Sequence, residues 1–203
     1  MLNKLFPRFA KDNLSSPIII VSGLPRSGTS MMMRMLAEGG VPIVINHIRQ
    51  ADDDNTDGYF ELERVKQLRD GQTDWLAQVS GKAVKVISAL LECLPSKYEY
   101  KIIFMERDIR EILLSQKKML SRRNESGDTD DMLMADQFEK HLAAIKFWLA
   151  RQPNMQVLYV NYNKLLYNPA PFCETVKAFL ELPLDIEAML SVPNGMLYRS
   201  RAN

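Results

Sequence analysis

The alternation of apolar and polar stretches along the chain predicts strands separated by helices. Continuous apolar runs indicate strands buried on both faces, as in parallel sheets, and they cover residues 17–23, 82–87, 100–105 and 154–160, with a shorter strand at 42–45. Helix-forming stretches lie between and after them at residues 29–38, 60–70, 108–122, 131–151 and 170–181. This order predicts an α/β fold, a three-layer domain whose mainly parallel central sheet of about five strands is flanked by helices.

The length and composition are those of one globular domain. The chain has 203 residues, of which 46% are apolar and 25% charged, close to globular averages. We therefore expect one domain over residues 1–203, with residues 1–16 as an N-terminal arm. No run of about 18 apolar residues, the length that spans a bilayer, occurs in the sequence. Cys93 and Cys173 lie far apart and are expected as free thiols in a reducing compartment, which predicts a cytoplasmic protein without a membrane span.

The formal charge nearly cancels, at +1 from 26 basic and 25 acidic residues. General nucleic-acid binders rely on many contacts between basic side chains and phosphates, so nucleic acid is not an expected partner. The charges are unevenly placed, however. Residues 1–50 hold six basic and two acidic side chains, whereas residues 52–74 hold eight acidic and three basic ones. This layout predicts separate basic and acidic patches.

The strongest motif joins the first strand to the first helix and reads GLPRSGTS, residues 23–30. Its two glycines have the spacing of a phosphate-binding loop (P-loop), in which backbone N–H groups face an anion at a helix start. Thr29 stands where a Walker loop carries its lysine, and the cation Arg26 lies inside the loop instead. No aspartate follows an apolar strand in the usual magnesium-holding place, so we expect fixed cations, with no metal required, to balance the phosphate charge. The alternative is a turn that binds no ligand.

With PRSGTS following a buried strand, the chain resembles the sulfotransferase superfamily, of bacterial type, whose members use 3′-phosphoadenosine 5′-phosphosulfate (PAPS) and release PAP. A second motif, RDIREILLSQ at residues 107–116, is similar to the family's 3′-phosphate motif, an arginine followed eight residues later by a serine. The resemblance implies that the 3′-phosphate is bound by Arg107 and Ser115. It implies that the 5′-phosphosulfate is bound by Pro25, Arg26, Ser27, Gly28, Thr29 and Ser30.

The resemblance extends to further residues between about 17 and 201. Lys85 falls where family members carry a lysine near the transferring sulfuryl group, and we expect Arg26 and Lys85 to stabilise charge on the leaving phosphate. Tyr162 matches a tyrosine that is expected to contact the adenine, although Asn163 and Lys164 replace the acidic pair that follows it in the family. The C-terminal cofactor segment of cytosolic members is missing, and its expected substitutes are Arg199 and Arg201.

The acceptor must lose a proton, which needs a base within reach. Cytosolic family members carry a histidine where this chain has Ile87. The first candidate in its place is Glu61, at the start of a helix, followed by His47, which titrates near neutrality, and Asp54. Each has an ordinary structural alternative, such as stabilising a helix start. His141 is expected to be a packed histidine, because it lies on an apolar helical stripe.

The resemblance implies an enzyme that transfers a sulfuryl group from PAPS to a hydroxyl or amine. Its acceptor would be a small molecule, a carbohydrate or a chain end, bound in an open site. A homodimer in which a partner subunit supplies a lid is compatible with the short chain. Two alternatives are a nucleotide-binding or interaction module without turnover and, less favoured because the Walker lysine is missing, a small-molecule nucleotide kinase.

Overall fold

Four parallel strands form the central sheet of the structure, a computed structural model that describes residues 16–45, 60, 62–122 and 130–193. They are β1 (Ile18–Gly23), β2 (Ala83–Lys85), β3 (Tyr100–Glu106) and β4 (Met155–Asn161). Their spatial order is β2-β1-β3-β4, and every pairing is parallel. Apolar runs without alternation form such strands because both faces of the sheet are covered.

Helices cover the sheet on both faces. The α-helices are α1 (Thr29–Glu38), α2 (Ile109–Arg122), α3 (Asp131–Leu149), α4 (Tyr162–Tyr167), α5 (Pro169–Leu180) and α6 (Ile186–Leu190). Three 3₁₀ helices span Glu63–Asp70, Asp74–Val79 and Ser88–Cys93. None of the helices within the described residues is both long and apolar enough to cross a membrane.

Two apolar cores lie on opposite faces of the sheet, because successive side chains of a strand alternate between its faces. In β1, Ile19 and Val21 contact the core formed with α1, α5 and α6. Ile18 and Ile20 contact the core formed with the 3₁₀ helices and α3. The predicted three-layer α/β architecture with a mainly parallel sheet is therefore confirmed.

Two predicted elements differ in the structure. In place of a strand at 42–45 there is one isolated bridge, between Ile43 and Ala83, because Pro42 has no N–H to extend the ladder. The sheet accordingly has four strands in the described residues. In place of a helix from about residue 60 to 70 there is the 3₁₀ helix Glu63–Asp70, whose buried residues Val65 and Leu68 have the three-residue repeat of that conformation.

The two cysteines are free thiols in different surroundings. Burial, with a smaller contribution from Glu174, raises the pKa of the Cys173 thiol to about 11, and Cys93 is only partly buried. Because the thiolate is the reactive form, we expect iodoacetamide to modify Cys93 in the native protein and Cys173 only after unfolding. Peptide mass spectrometry over a time course measures both rates, and equal rates in the native protein would contradict this packing.

The strand order places a switch point at β1. The chain passes from β1 to β2 on one side of it and then crosses to β3 on the other. In open parallel sheets, ligands bind beyond the carboxyl ends of the strands at such a point. The segments that follow β1, β2 and β3 begin at Leu24, Val86 and Arg107, so the predicted motifs share one edge of the sheet.

Candidate active site

The loop after β1 takes a backbone path that requires glycine at its first position. Gly23 has φ +147°, and a Cβ atom there would lie 2.6 Å from the carbonyl oxygen of Met105. Arg26 has φ +71°, in the left-handed region. The first hydrogen bond of α1 runs from the N–H of Met32 to the carbonyl of Gly28, and no side chain caps this helix start. The loop therefore presents helix N–H donors and their partial positive charge beyond the sheet.

Gly28 lies directly against an aromatic ring. A Cβ atom at this position would lie 2.3 Å from Cδ2 of Tyr162, far closer than van der Waals contact. Tyr162 begins α4 immediately after β4 and is 5% exposed. The Tyr162 ring thus packs directly against the loop at Gly28. The contact with adenine expected for Tyr162 stays a prediction.

Arg26 joins the two sequence motifs. Its Nε atom donates to the Oγ atom of Ser115 at 3.0 Å, across 89 residues of sequence. Ser115 lies on α2, two helical turns after Arg107, as the predicted spacing requires. The residues expected at the two ends of one nucleotide are therefore in direct contact.

Arg107 fastens the loop to β3 and α2. Its Nη1 atom donates to the carbonyl oxygen of Arg26 at 3.0 Å, and its Nε atom donates to Oε2 of Glu111 at 3.0 Å. The guanidinium also lies 4.5 Å from the ring centroid of Tyr162. The side chains of Arg107 and Glu111 are only 6% and 4% exposed. Nδ2 of Asn163 donates to Oε1 of Glu111 at 2.9 Å, so each oxygen of the Glu111 carboxylate accepts a hydrogen bond.

The start of α2 is fixed by Asp108. Its Oδ1 atom accepts from the backbone N–H of Arg110 at 2.8 Å, and its Oδ2 atom accepts from the Arg110 guanidinium at 2.9 Å. The hydrogen bond from the Arg110 side chain is the main reason that the pKa of the Asp108 carboxyl is lowered. This capped start holds α2 in the orientation that brings Ser115 to the loop.

Lys85 reaches the first turn of α1 from the end of β2. Its Nζ atom lies 3.4 Å from Oγ of Ser30, so a second cation adjoins the loop. The sequence predicts only that Lys85 lies in a strand at residues 82–87. The parallel pairing of β1 with β2 brings Lys85 to the loop.

A small cavity lies beside the loop on the α3 side of the sheet. It has a volume of about 160 Å³, and its lining includes Ser27, Arg107, Leu142 and Lys146. The Oγ atom of Ser27 is buried and has no hydrogen-bond partner among the described residues. Lys146 forms an ion pair with Glu106, the last residue of β3.

The structure describes only part of the predicted site. It brings together the loop residues 25–30, Lys85, Arg107, Ser115 and Tyr162. Outside the described residues lie the candidate bases, Glu61, His47 and Asp54, and the C-terminal arginines, Arg199 and Arg201. Most of the N-terminal arm, residues 1–15, also lies outside them.

Sequence reasoning missed the partners of Arg107 and the partner of Ser88. Glu111 follows Arg107 by four residues, and that helical spacing is itself a signal for an ion pair. Asn163 and His141 carry no such signal, because each reaches its partner from an element distant in sequence. His141 lies with Nε2 2.8 Å from Oγ of Ser88.

The fold and this edge define an α/β protein of the P-loop type, with a glycine-containing loop between β1 and α1 and two cations beside it. The family model for the sulfotransferase domain matches residues 16–196, and the chain belongs to this family. A comparison with curated protein sequences found no match.

Two solved structures share the fold at low sequence identity. The sulfotransferase domain from the curacin biosynthetic pathway is 16% identical, with a TM-score of 0.51, over 89% of this chain and 78% of that one. The sulfotransferase STF1 from Mycobacterium tuberculosis H37Rv is 16% identical, with a TM-score of 0.56, over 87% of this chain and 70% of that one. At this identity the likeness shows the fold alone.

Proposed function

We propose that this protein transfers a sulfuryl group from PAPS to a hydroxyl or amine of an acceptor. The observation that carries the proposal is the hydrogen bond from Arg26 to Ser115. These residues belong to the two motifs expected to hold opposite ends of the donor, and only the fold brings them together. Family membership supports the reaction class, and the donor and acceptor are the parts that experiment must test.

The hydrogen-bond donors and cations beside the loop are suited to bind a polyanion. The uncapped start of α1 offers backbone N–H groups, and the cations Arg26 and Lys85 lie beside it. Guanidinium and ammonium groups at these positions would neutralise charge that develops on the departing phosphate. PAPS supplies the activated sulfuryl group when it is bound, and the chain's part is to orient it and balance its charge.

Arg107 has two tasks in this proposal. Its guanidinium donates to Glu111 and to the carbonyl oxygen of Arg26, which fixes the loop to β3 and α2. Arg107 also lines the cavity beside the loop. It would hold the loop in shape while it contacts the 3′-phosphate.

A thermal-shift comparison tests the choice of donor. A ligand that binds only the folded state raises the melting temperature. We expect PAP and PAPS to stabilise the protein and Mg-ATP to have a smaller effect. Stabilisation by Mg-ATP alone would contradict the proposal and favour a kinase. A response to PAP without sulfuryl transfer to any acceptor would indicate a binding module.

Ser115→Ala tests the assignment of the 3′-phosphate. A hydrogen bond to a charged group contributes about 1.5–3 kcal/mol, so we expect PAP to bind at least about tenfold more weakly. Adenosine 5′-phosphosulfate, which lacks the 3′-phosphate, should be affected much less in calorimetric titrations.

The matched control is Ser121→Ala, an exposed serine on the same helix, for which we expect wild-type affinities. Equal losses for both nucleotides with Ser115→Ala would refute the 3′-phosphate contact. They would show instead that Ser115 acts by holding Arg26 in place.

A further inference from the structure

A histidine reaches this edge of the sheet from α3. Ser88 follows Lys85 by three residues and is 1% exposed, and its Oγ atom lies 2.8 Å from Nε2 of His141. His141 itself is half-buried. Their hydrogen bond connects α3 to the 3₁₀ helix Ser88–Cys93 just beyond the carboxyl end of β2.

Two side-chain contacts of α3 place His141 near the carboxyl ends of the strands. Lys146 is paired with Glu106 at the last residue of β3, and α3 then ends shortly before the start of β4. His141 precedes Lys146 by five residues on α3, about one and a half helical turns. The hydrogen bond between His141 and Ser88, three residues after the end of β2, places the imidazole at this edge of the sheet. Leu142, the neighbour of His141, lines the cavity together with Ser27 and Arg107, so this turn of α3 adjoins the loop.

The proposed reaction needs a proton acceptor, and among the described residues beside the loop the carboxylates of Glu106 and Glu111 are already paired with Lys146 and Arg107. Arg26 and Lys85 are cations at neutral pH, and Ser30, Ser88 and Ser115 carry hydroxyls that are poor bases. A neutral imidazole with one nitrogen fixed as a donor is well suited to accept a proton on the other. No described residue hydrogen-bonds the Nδ1 atom of His141.

We propose that His141 is the general base of the reaction and that Ser88 is its positioning residue; this rests on the proposed function. The Nε2–H group donates to Ser88 Oγ, which leaves the lone pair on Nδ1. As the acceptor oxygen forms its bond to sulfur, the bond from sulfur to the bridging phosphate oxygen breaks, and PAP leaves with that electron pair. The acceptor proton moves to Nδ1, and the imidazolium later releases it to solvent.

His141→Gln tests the base with acceptors that differ in their need for one. Gln keeps an N–H donor for Ser88 but cannot accept a proton. The probes are 4-methylphenol, whose hydroxyl ionises near pH ~10 like that of tyrosine, and 4-nitrophenol, which is largely ionised in mildly alkaline buffer. General-base catalysis contributes about 100-fold or more, so kcat/KM for 4-methylphenol should fall by that factor while 4-nitrophenolate reacts at the wild-type rate.

The same assay separates His141 from the base predicted from sequence. Glu61→Gln is measured in parallel with both phenols. A loss confined to 4-methylphenol in His141→Gln supports the proposal. The same selective loss in Glu61→Gln alone, or equal losses for both phenols in His141→Gln, overturns it.

The tautomer of His141 is a readout that does not depend on turnover. The chain has two histidines, so the His47→Gln background leaves one imidazole in ¹⁵N NMR spectra of the ligand-free protein. We expect His141 to carry its proton on Nε2, and we expect Ser88→Ala to mix the two tautomers and slow transfer to 4-methylphenol selectively. A proton on Nδ1 of His141 in the protein that carries only His47→Gln would overturn the assignment.

PAP binding separates a failure of this inference from a failure of the proposed function. His141→Gln and Ser88→Ala should show the wild-type thermal shift with PAP, which also verifies folding. A wild-type protein that binds PAP but sulfates neither phenol overturns the inference and leaves the donor site intact. A wild-type protein that does not bind PAP overturns the proposed function itself.

Discussion

Gly28→Ala is expected to lower the free energy of unfolding by about 2–5 kcal/mol, because it combines backbone strain with a steric clash. The φ of +99° disfavours any residue with a Cβ atom, and this Cβ atom would lie 2.3 Å from the Tyr162 ring. The ring cannot move aside easily, because it packs against the Arg107 guanidinium. Urea denaturation measures the loss, and calorimetry should show that PAP affinity falls with it.

Gly40→Ala is the matched control for this prediction. Gly40 has φ +93°, but no atom lies within 4 Å of the added Cβ position, so this variant carries the backbone cost alone, about 1–2 kcal/mol. The difference between the two variants isolates the contact between the loop and Tyr162. Equal losses of stability would show that Tyr162 does not constrain the loop.

Glu111→Ala is expected to destabilise the protein by about 3–5 kcal/mol, since removing one partner of a buried ion pair leaves the other charge uncompensated. Arg107 would keep its burial, at 6% exposure of the side chain, and would lose the carboxylate that its Nε atom contacts. Asn163 would lose an acceptor as well. Because Arg107 also holds the carbonyl of Arg26, the loop should loosen and PAP affinity should fall with stability.

Lys140→Ala provides the comparison for Glu111→Ala. Lys140 forms a 2.7 Å ion pair with Asp136, also at four-residue spacing, but the two side chains are 76% and 51% exposed. Exposed pairs of this kind contribute about 0.5 kcal/mol or less. If Glu111→Ala cost no more than this control in urea denaturation, Arg107 would have found solvent or another acceptor, and its support of the loop would be disproved.

Most of the fold could be predicted from the sequence, because the signals for strands and helices are local. Apolar runs such as residues 17–23 mark strands that both faces of a sheet bury, and the helices α1, α2 and α3 began within a residue of their predicted starts. The prediction was wrong where local pattern competes with pairing. Residues 42–45 have the composition of a strand, but they pair with the sheet only through one bridge, between Ile43 and Ala83, because Pro42 has no N–H.

The candidate site likewise has features that the sequence predicts and contacts that it does not. The GLPRSGTS loop and the eight-residue interval from Arg107 to Ser115 are visible in sequence, because glycine spacing and helical repeat fix their shape. The partners of those residues were not visible, since Asn163 and His141 meet Glu111 and Ser88 across 52 and 53 residues.

The α/β class, the glycine-containing loop and the cationic residues beside it can be inferred from local patterns in the sequence. Which of those residues contact one another depends on the tertiary structure. Parallel pairing in the order β2-β1-β3-β4 brings four strand ends to one edge, and the packing of α3 against the sheet brings a histidine there. Local propensity acts over a few residues, whereas contacts between distant segments exist only once strand order and helix packing have been established.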